Sequence, residues 1–456
     1  MNQFTFTSKQ KTFLLSFMGL GVLCLVLTFL MDDQPGHIRF WTNFLQNSVF
    51  FTGISFIILF FLSASITAWA GWYTVMKRLW ESFTAFLVPG LVLMLVVVAG
   101  LWLDWFDMYH WSDPEEVAKD PILQGKAGFL NKNWYTIGTL VILGIWIFFA
   151  YKLRQLSSDE DKNGTTDWGH HRKMRVWAAG FLPIAGFSSA ALIWLWIMSV
   201  DSHWYSTLFA WYTGASWFVS AIALTLILLH YLRSIGYFQK VTGEHMHDLG
   251  KLLFAFSIFW TYLWFSQFML IWYANVGEET IYFHTRMNEY PVLFFMNLGI
   301  NFLLPFFVLM RNDTKRKAGT LIFASIMVLI GHWIDFFLMI KPGALHTAQH
   351  AAHHGHDAAH GEAGAHGAEH AADHAGHGAE HVAEAAEHAH EFLMGFNFPG
   401  LLEFGTMLGF LAFFVYIVFN QLTKENLEPA NDPYLAESLT HHVGYGGGEI
   451  HHGSHH

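Results

Sequence analysis

Residues 320–340 read TLIFASIMVLIGHWIDFFLMI, an apolar run interrupted by the ionisable pair His332 and Asp335. At about 1.5 Å per residue, a helix of this length crosses the roughly 30 Å hydrocarbon core of a bilayer. Lipid offers no partners to backbone N–H and C=O groups, so such a run has to be helical. Ionisable side chains inside it cost roughly 2.5–3.5 kcal/mol each on insertion scales, which marks them as functional candidates. His332 and Asp335 stand i, i+3 on one helix face, a spacing that allows a hydrogen-bonded acid–imidazole pair.

Nine other runs have the same character: Thr12–Met31, Phe44–Gly71, Phe83–Leu103, Trp134–Tyr151, Trp177–Val200, Leu208–Leu232, Leu249–Ala274, Pro291–Met310 and Phe398–Phe419. The fold expected is an all-α membrane protein with ten transmembrane helices. The composition of the 456 residues agrees, with 54% hydrophobic and only 13% charged, against about 25% charged in soluble domains. A soluble enzyme and a disordered chain are excluded. Nucleic-acid binding is excluded as a main role, because the net charge is -11 and no basic stripe occurs. The single cysteine, Cys24, leaves no ligands for iron–sulfur clusters, CxxCH-attached haem or cysteine-held zinc, and no disulfide. The first run is too long for a signal peptide and no small-x-small cleavage site follows, so it reads as a retained helix. Pro89, Pro183 and Pro305 fall inside the third, fifth and eighth runs, where they free carbonyls and kink helices.

Basic residues set the orientation. Seventeen Lys and Arg lie in one alternating set of connections and termini, among them Lys9, Lys77, Arg78, Arg172, Arg316 and Lys424. Six lie in the other: Arg39, Lys119, Lys126, Lys132, Arg286 and Lys341. Both termini are therefore expected in the cytoplasm. The outer connection between the third and fourth runs carries Asp104, Asp107, Asp113, Glu115, Glu116 and Asp120, a surface that would attract a basic partner such as a soluble cytochrome.

Near the outer side stand Asp201 and His203, His332 with Asp335, and Glu403; these are the candidates for a quinone or proton site. Nearer the inner side are His230, His247, Asp248 and Lys251, which Tyr262 and Gln267 on the seventh run would extend into a proton path. Asn297 and Asn301 on the eighth run suit helix joining. A haem needs two axial histidines at one depth. His230 lies near the inner end of its run whereas His332 is about 18 Å into its own, so a haem between them is not expected.

Thirteen of the 29 histidines fall between His346 and His390, among Ala, Gly, Asp and Glu. This low-complexity segment cannot build a packed core and reads as a disordered outer loop. Its imidazoles, including His346, His350, His353, His354 and His356, would bind metal weakly, but their irregular spacing defines no site.

The stretch Asp201-Ser202-His203-Trp204-Tyr205-Ser206-Thr207-Leu208-Phe209 resembles a span-end motif of the NrfD/polysulfide-reductase-like membrane proteins. The runs from His247 to Phe256 and from Thr261 to Gln267, with Ile271-Trp272-Tyr273-Ala274-Asn275 and Glu278-Glu279, narrow the resemblance. It is to the second, shorter quinone-binding membrane subunit of alternative complex III, the quinol:cytochrome c oxidoreductase of some bacteria, and it covers roughly residues 12–420. That family implies two four-helix bundles, spans 2–5 and 6–9, flanked by spans 1 and 10. The corresponding divisions here are residues 1–43, 44–207, 208–340, the His-rich loop 341–397, the last span 398–420 and the cytoplasmic tail 421–456. It also implies a location in the bacterial inner membrane and a bound menaquinol-type substrate, with haem and iron–sulfur centres only in partner subunits. The implied partners are a homologous membrane subunit, an iron–sulfur protein, multihaem and monohaem cytochromes c, and a haem-copper oxidase. The competing readings are a metal-ion transporter with a histidine-rich capture loop and a catalytically silent scaffold of the same complex.

Overall fold

The computed structural model describes residues 3–164, 168–361 and 393–442, with only the backbone of Pro35 and of 348–361. Among the described residues ten helices are long and apolar enough to cross a membrane: α1 (Ser8–Leu30), α2 (Ile38–Thr67), α3 (Thr74–Trp102), α4 (Lys132–Asn163), α5 (Gly169–Val200), α6 (Leu208–Ser234), α7 (Gly243–Ala274), α8 (Pro291–Leu309), α9 (Ala318–Gly361) and α10 (Leu401–Leu422). Their starts follow local chemistry. Thr7 caps α1 with Gln10 in a capping box, the Asn131 side chain accepts the Trp134 N–H of α4, and Pro291 opens α8, each supplying or sparing a helix-end donor.

Two rings of four helices make up the body. In the first, α2 packs on α3 and α5, and α4 closes the ring between them; in the second, α6 packs on α7 and α9, and α8 closes it. The rings meet where α2 touches α6 and α9. Helices α1 and α10 form an outer pair, α10 lying on α2 and α3. This is the expected all-α architecture of two bundles with two flanking spans.

The α1–α10 pair depends on close backbone approach, since a Cβ on Gly409 would come within 2.4 Å of Gly21 Cα. Without a hydrophobic drive between helices in lipid, such small-residue crossings supply the packing. Gly409→Val should therefore cost about 1–3 kcal/mol by overpacking, read as a lower thermal midpoint of the detergent-solubilised protein. An unchanged midpoint would refute the crossing.

Several boundaries differ from the hydropathy reading. Helix α2 starts at Ile38 rather than Phe44, and α4 runs on to Asn163 through a polar last section. The segment expected to be a disordered loop from residue 341 is helical as far as Gly361. Ala and His continue the helix past the apolar run, which ends at Ile340, because alanine forms helix without needing burial. His346 is exposed on that helix; the side chains of His350, His353, His354 and His356, and all of 362–392, lie outside the described residues.

Two of the three prolines disturb the ladder as expected, whereas Pro183 sits inside the unbroken helix Gly169–Trp196. A 3-10 turn at Thr84–Phe86 precedes Pro89, and a π turn at Gly299–Leu303 precedes Pro305. Proline cannot donate to the carbonyl four residues back, and the altered turns accommodate the loss. Gln3 Nε2 donates to the Thr423 carbonyl at 2.7 Å, which puts the two termini at one end of the bundle. That end is called the termini end below, and its opposite the loop end.

Candidate functional site

Asp335 sits on α9 inside the second ring, with no exposure to solvent. Its carboxylate accepts from three different helices. The Tyr212 hydroxyl of α6 donates to Oδ1, Asn297 Nδ2 of α8 donates to Oδ1 at 2.8 Å, and Trp260 Nε1 of α7 donates to Oδ2 at 3.0 Å. Asn301 continues the file, donating to Asn297 Oδ1 at 2.6 Å. A carboxylate in a low-dielectric interior is tolerated only with such partners, so the cage holds the four helices of the second ring together.

His332 is equally buried, but the direct acid–imidazole hydrogen bond expected from the i, i+3 spacing does not form. Its Nδ1 lies 3.9 Å from Asp335 Oδ2, too far for a hydrogen bond. Nδ1 instead shares a 2.9 Å bond with Ser216 Oγ, and the ring stands edge-on to Trp260 at 5.2 Å. Its Nε2 has no hydrogen-bond partner among the described residues. The helix brings the two side chains together, and the neighbouring α6 takes the bond.

Beside the cage a narrow cleft of about 20 Å³ is lined by Tyr212, Trp264, Gln267, Arg286, Asn297 and Met339, among others. Tyr212 and Asn297 therefore face both Asp335 and the cleft. Counting from the starts of α6 and α8, they lie about 6 to 9 Å below the loop end. Arg286 comes from the helix Gly277–Asn288, which connects α7 to α8 at the loop end. It donates to Leu338 O at 2.9 Å, to Tyr282 O at 3.0 Å and to Asp201 Oδ2 at 2.7 Å. Asp201 thus reaches the Asp335 site through Arg286 and the cleft.

The other loop-end candidates go elsewhere. His203 Nε2 pairs with Asp120 Oδ2 at 2.5 Å, and Asp120 also caps the helix Pro121–Lys126 through the N–H groups of Ile122 and Leu123. Burial raises the Asp120 carboxyl, but the His203 hydrogen bond and those N–H groups outweigh it and hold it below the usual carboxylate range. Asp113 caps the helix Pro114–Lys119 in the same way, so part of the acidic outer connection serves as helix caps. Glu403 is fully buried at the start of α10. It accepts from Arg39 Nε at 2.8 Å and Nη2 at 3.1 Å, and from Asn43 Nδ2 at 3.1 Å. Gly395, at φ +93°, makes this possible, because a Cβ there would sit 2.2 Å from Arg39 Nε.

The termini-end candidates do not form one file. His230 and Tyr262 are exposed, whereas His247 and Gln267 are buried. Gln267 belongs to the cleft, about 30 Å up α7 from His247. Asp248 accepts from Lys251 at 2.8 Å and pairs with His441 of the tail at 2.5 Å. His247 Nδ1 is 4.0 Å from Glu244 Oε2.

Sequence reasoning passed over a second buried cluster, at the termini end of the first ring. Lys77 Nζ is 2.8 Å from Asp432 Oδ2 and 3.5 Å from Glu160 Oε2, with His171 beside them. Arg78 next to it meets Glu81, Asp161 and Glu425. In the sequence Lys77 and Arg78 count only as orientation charges, and Asp432 falls without distinction in the cytoplasmic tail 421–456. Tyr212 and Trp260 carried no sequence signal either, being two aromatics in a chain that is 18% aromatic.

No protein-family model matches this chain, and comparison with curated proteins gives no match.

Proposed function

We propose that the chain is an integral membrane subunit of a respiratory quinol:cytochrome c oxidoreductase of the alternative complex III kind. It lies in the bacterial inner membrane with both termini cytoplasmic, and takes part in quinol binding and proton handling. The observation that carries this reading is Asp335, a carboxylate inside the membrane region, joined through Tyr212 and Asn297 to an aromatic-lined cleft.

A quinone needs an apolar slot with hydrogen-bond partners for its two oxygens. The cleft has flat walls in Trp264, Phe283 and Phe294, and polar edges in Tyr212, Gln267 and Arg286. Oxidation of a menaquinol-type quinol releases two protons and two electrons. The Tyr212 hydroxyl can accept one proton from the quinol while passing its own to Asp335, which acts as general base. The chain offers no cysteine-held redox centre, with Cys24 alone. The electrons go to iron–sulfur and cytochrome c subunits of the complex, beside a homologous membrane subunit and a haem-copper oxidase.

Isolation of the complex through this chain should yield cytochrome c absorption bands and quinol-dependent cytochrome reduction. A colourless preparation inert to quinol would overturn the reading. Deleting His346–His390 should leave quinol turnover unchanged, whereas a metal transporter would lose metal flux in the same variant.

A further inference from the structure

At the termini end, Glu160 near the end of α4, His171 in the first turn of α5 and Asp432 of the tail each aim a ligand atom at a common point. Those atoms lie within 4.8 Å of one another. All three side chains are buried, at 1%, 2% and 6% exposure. Among the described residues, Glu160 Oε1 and both ring nitrogens of His171 have no hydrogen-bond partner. A buried polar atom left without a partner costs about 1–3 kcal/mol, and several in one spot mean that something else satisfies them.

We propose that Glu160, His171 and Asp432 bind a divalent transition-metal ion of the zinc class, which pins the tail to α4 and α5. The donor set of one imidazole and two carboxylates suits zinc, with a water as fourth ligand. His171 Nδ1 and Glu160 Oε1 are already 3.8 Å apart. Tetrahedral ligand bonds of about 2.0–2.2 Å set donor atoms roughly 3.3–3.6 Å apart, so atoms lying within 4.8 Å of one another close by at most about 1.5 Å on binding.

Lys77 is the obvious competitor. It bonds Glu160 through Oε2, leaving Oε1 open, and shares Asp432 Oδ2, an oxygen with a second lone pair. One ammonium facing two carboxylates leaves negative charge for a cation to neutralise. An aromatic wall around His171, formed by Trp69 at 5.7 Å, Trp168 at 6.0 Å and Tyr434 at 5.3 Å, keeps water out and fixes the ring.

Loop histidines also bind zinc, so the test has to report on the tail alone. No Lys or Arg occurs from Gly343 to Thr423, and Lys424 is the last Lys or Arg of the sequence. Trypsin therefore releases the segment from Glu425 onward by one cut, at exposed Lys424, without touching the His-rich stretch. With the full chain in detergent, free zinc at ten times its dissociation constant should slow this release about tenfold. His171→Phe keeps the aromatic packing and removes the ligand; Asp432→Asn keeps the shape of the tail anchor. Both should abolish the zinc effect. Absence of protection in the unmodified chain, or protection equal in the unmodified chain and either variant, would overturn the site. Neither result bears on quinol turnover.

Discussion

Asp335→Asn is expected to lower quinol-dependent cytochrome reduction by about a hundredfold or more, the range that a positioned general base contributes. The substitution keeps size and shape but removes the charge that draws a proton from Tyr212. It also turns an amide N–H₂ toward Trp260 Nε1, now 3.0 Å from Oδ2, setting donor against donor. That mismatch leaves a buried group unpaired and costs about 1–3 kcal/mol of stability. Tyr212→Phe separates the two effects. It leaves the carboxylate with Trp260 and Asn297 but removes the hydroxyl that links it to the cleft, so turnover should fall while the thermal midpoint moves less. If both variants reduce cytochrome at the unmodified rate, Asp335 is a structural strut and the proton role is wrong.

The largest loss of stability is expected from Glu403→Ala. Its carboxylate is fully buried and holds Arg39 by two hydrogen bonds. The neighbouring Lys341 is also buried and donates to the Arg39 carbonyl at 3.3 Å. Removing one partner of a buried ion pair leaves uncompensated charge, which costs about 3–5 kcal/mol. Replacing the pair by apolar residues of similar volume, Arg39→Met with Glu403→Leu, should recover a good part of that loss. Thermal unfolding in detergent measures both. A single-variant loss near zero would mean that water reaches Arg39 and the pair is not sealed.

These expectations differ in how far the sequence supported them. Asp335 stood out because one carboxylate in an apolar run is costly, and its position followed from counting along the helix. Glu403 stood out for the same reason, but its partners Arg39 and Asn43 come from α2, some 360 positions away, and only the fold brings them to it. His332 and Asp335 were correctly placed on one face, yet their direct bond was a wrong expectation. Spacing along a helix fixes direction, and Ser216 on a neighbouring helix offers Nδ1 a shorter bond of 2.9 Å. The proposed inner path failed similarly: His230 and Tyr262 share an approximate depth with buried residues but occupy the outward face of their helices.

The amino-acid sequence by itself determined the number of spans, their order and the few membrane-depth residues with chemistry. Each of these follows from a local quantity, the cost of placing a backbone or a side chain in lipid, which a window along the chain contains in full. Tertiary structure decided which of those residues meet. Asp335 draws donors from α6, α7 and α8, and Lys77 and Glu160 meet Asp432 across some 350 and 270 positions of chain. Partner choice depends on the rotation of each helix about its axis, and that is set by packing among helices that a linear reading cannot register.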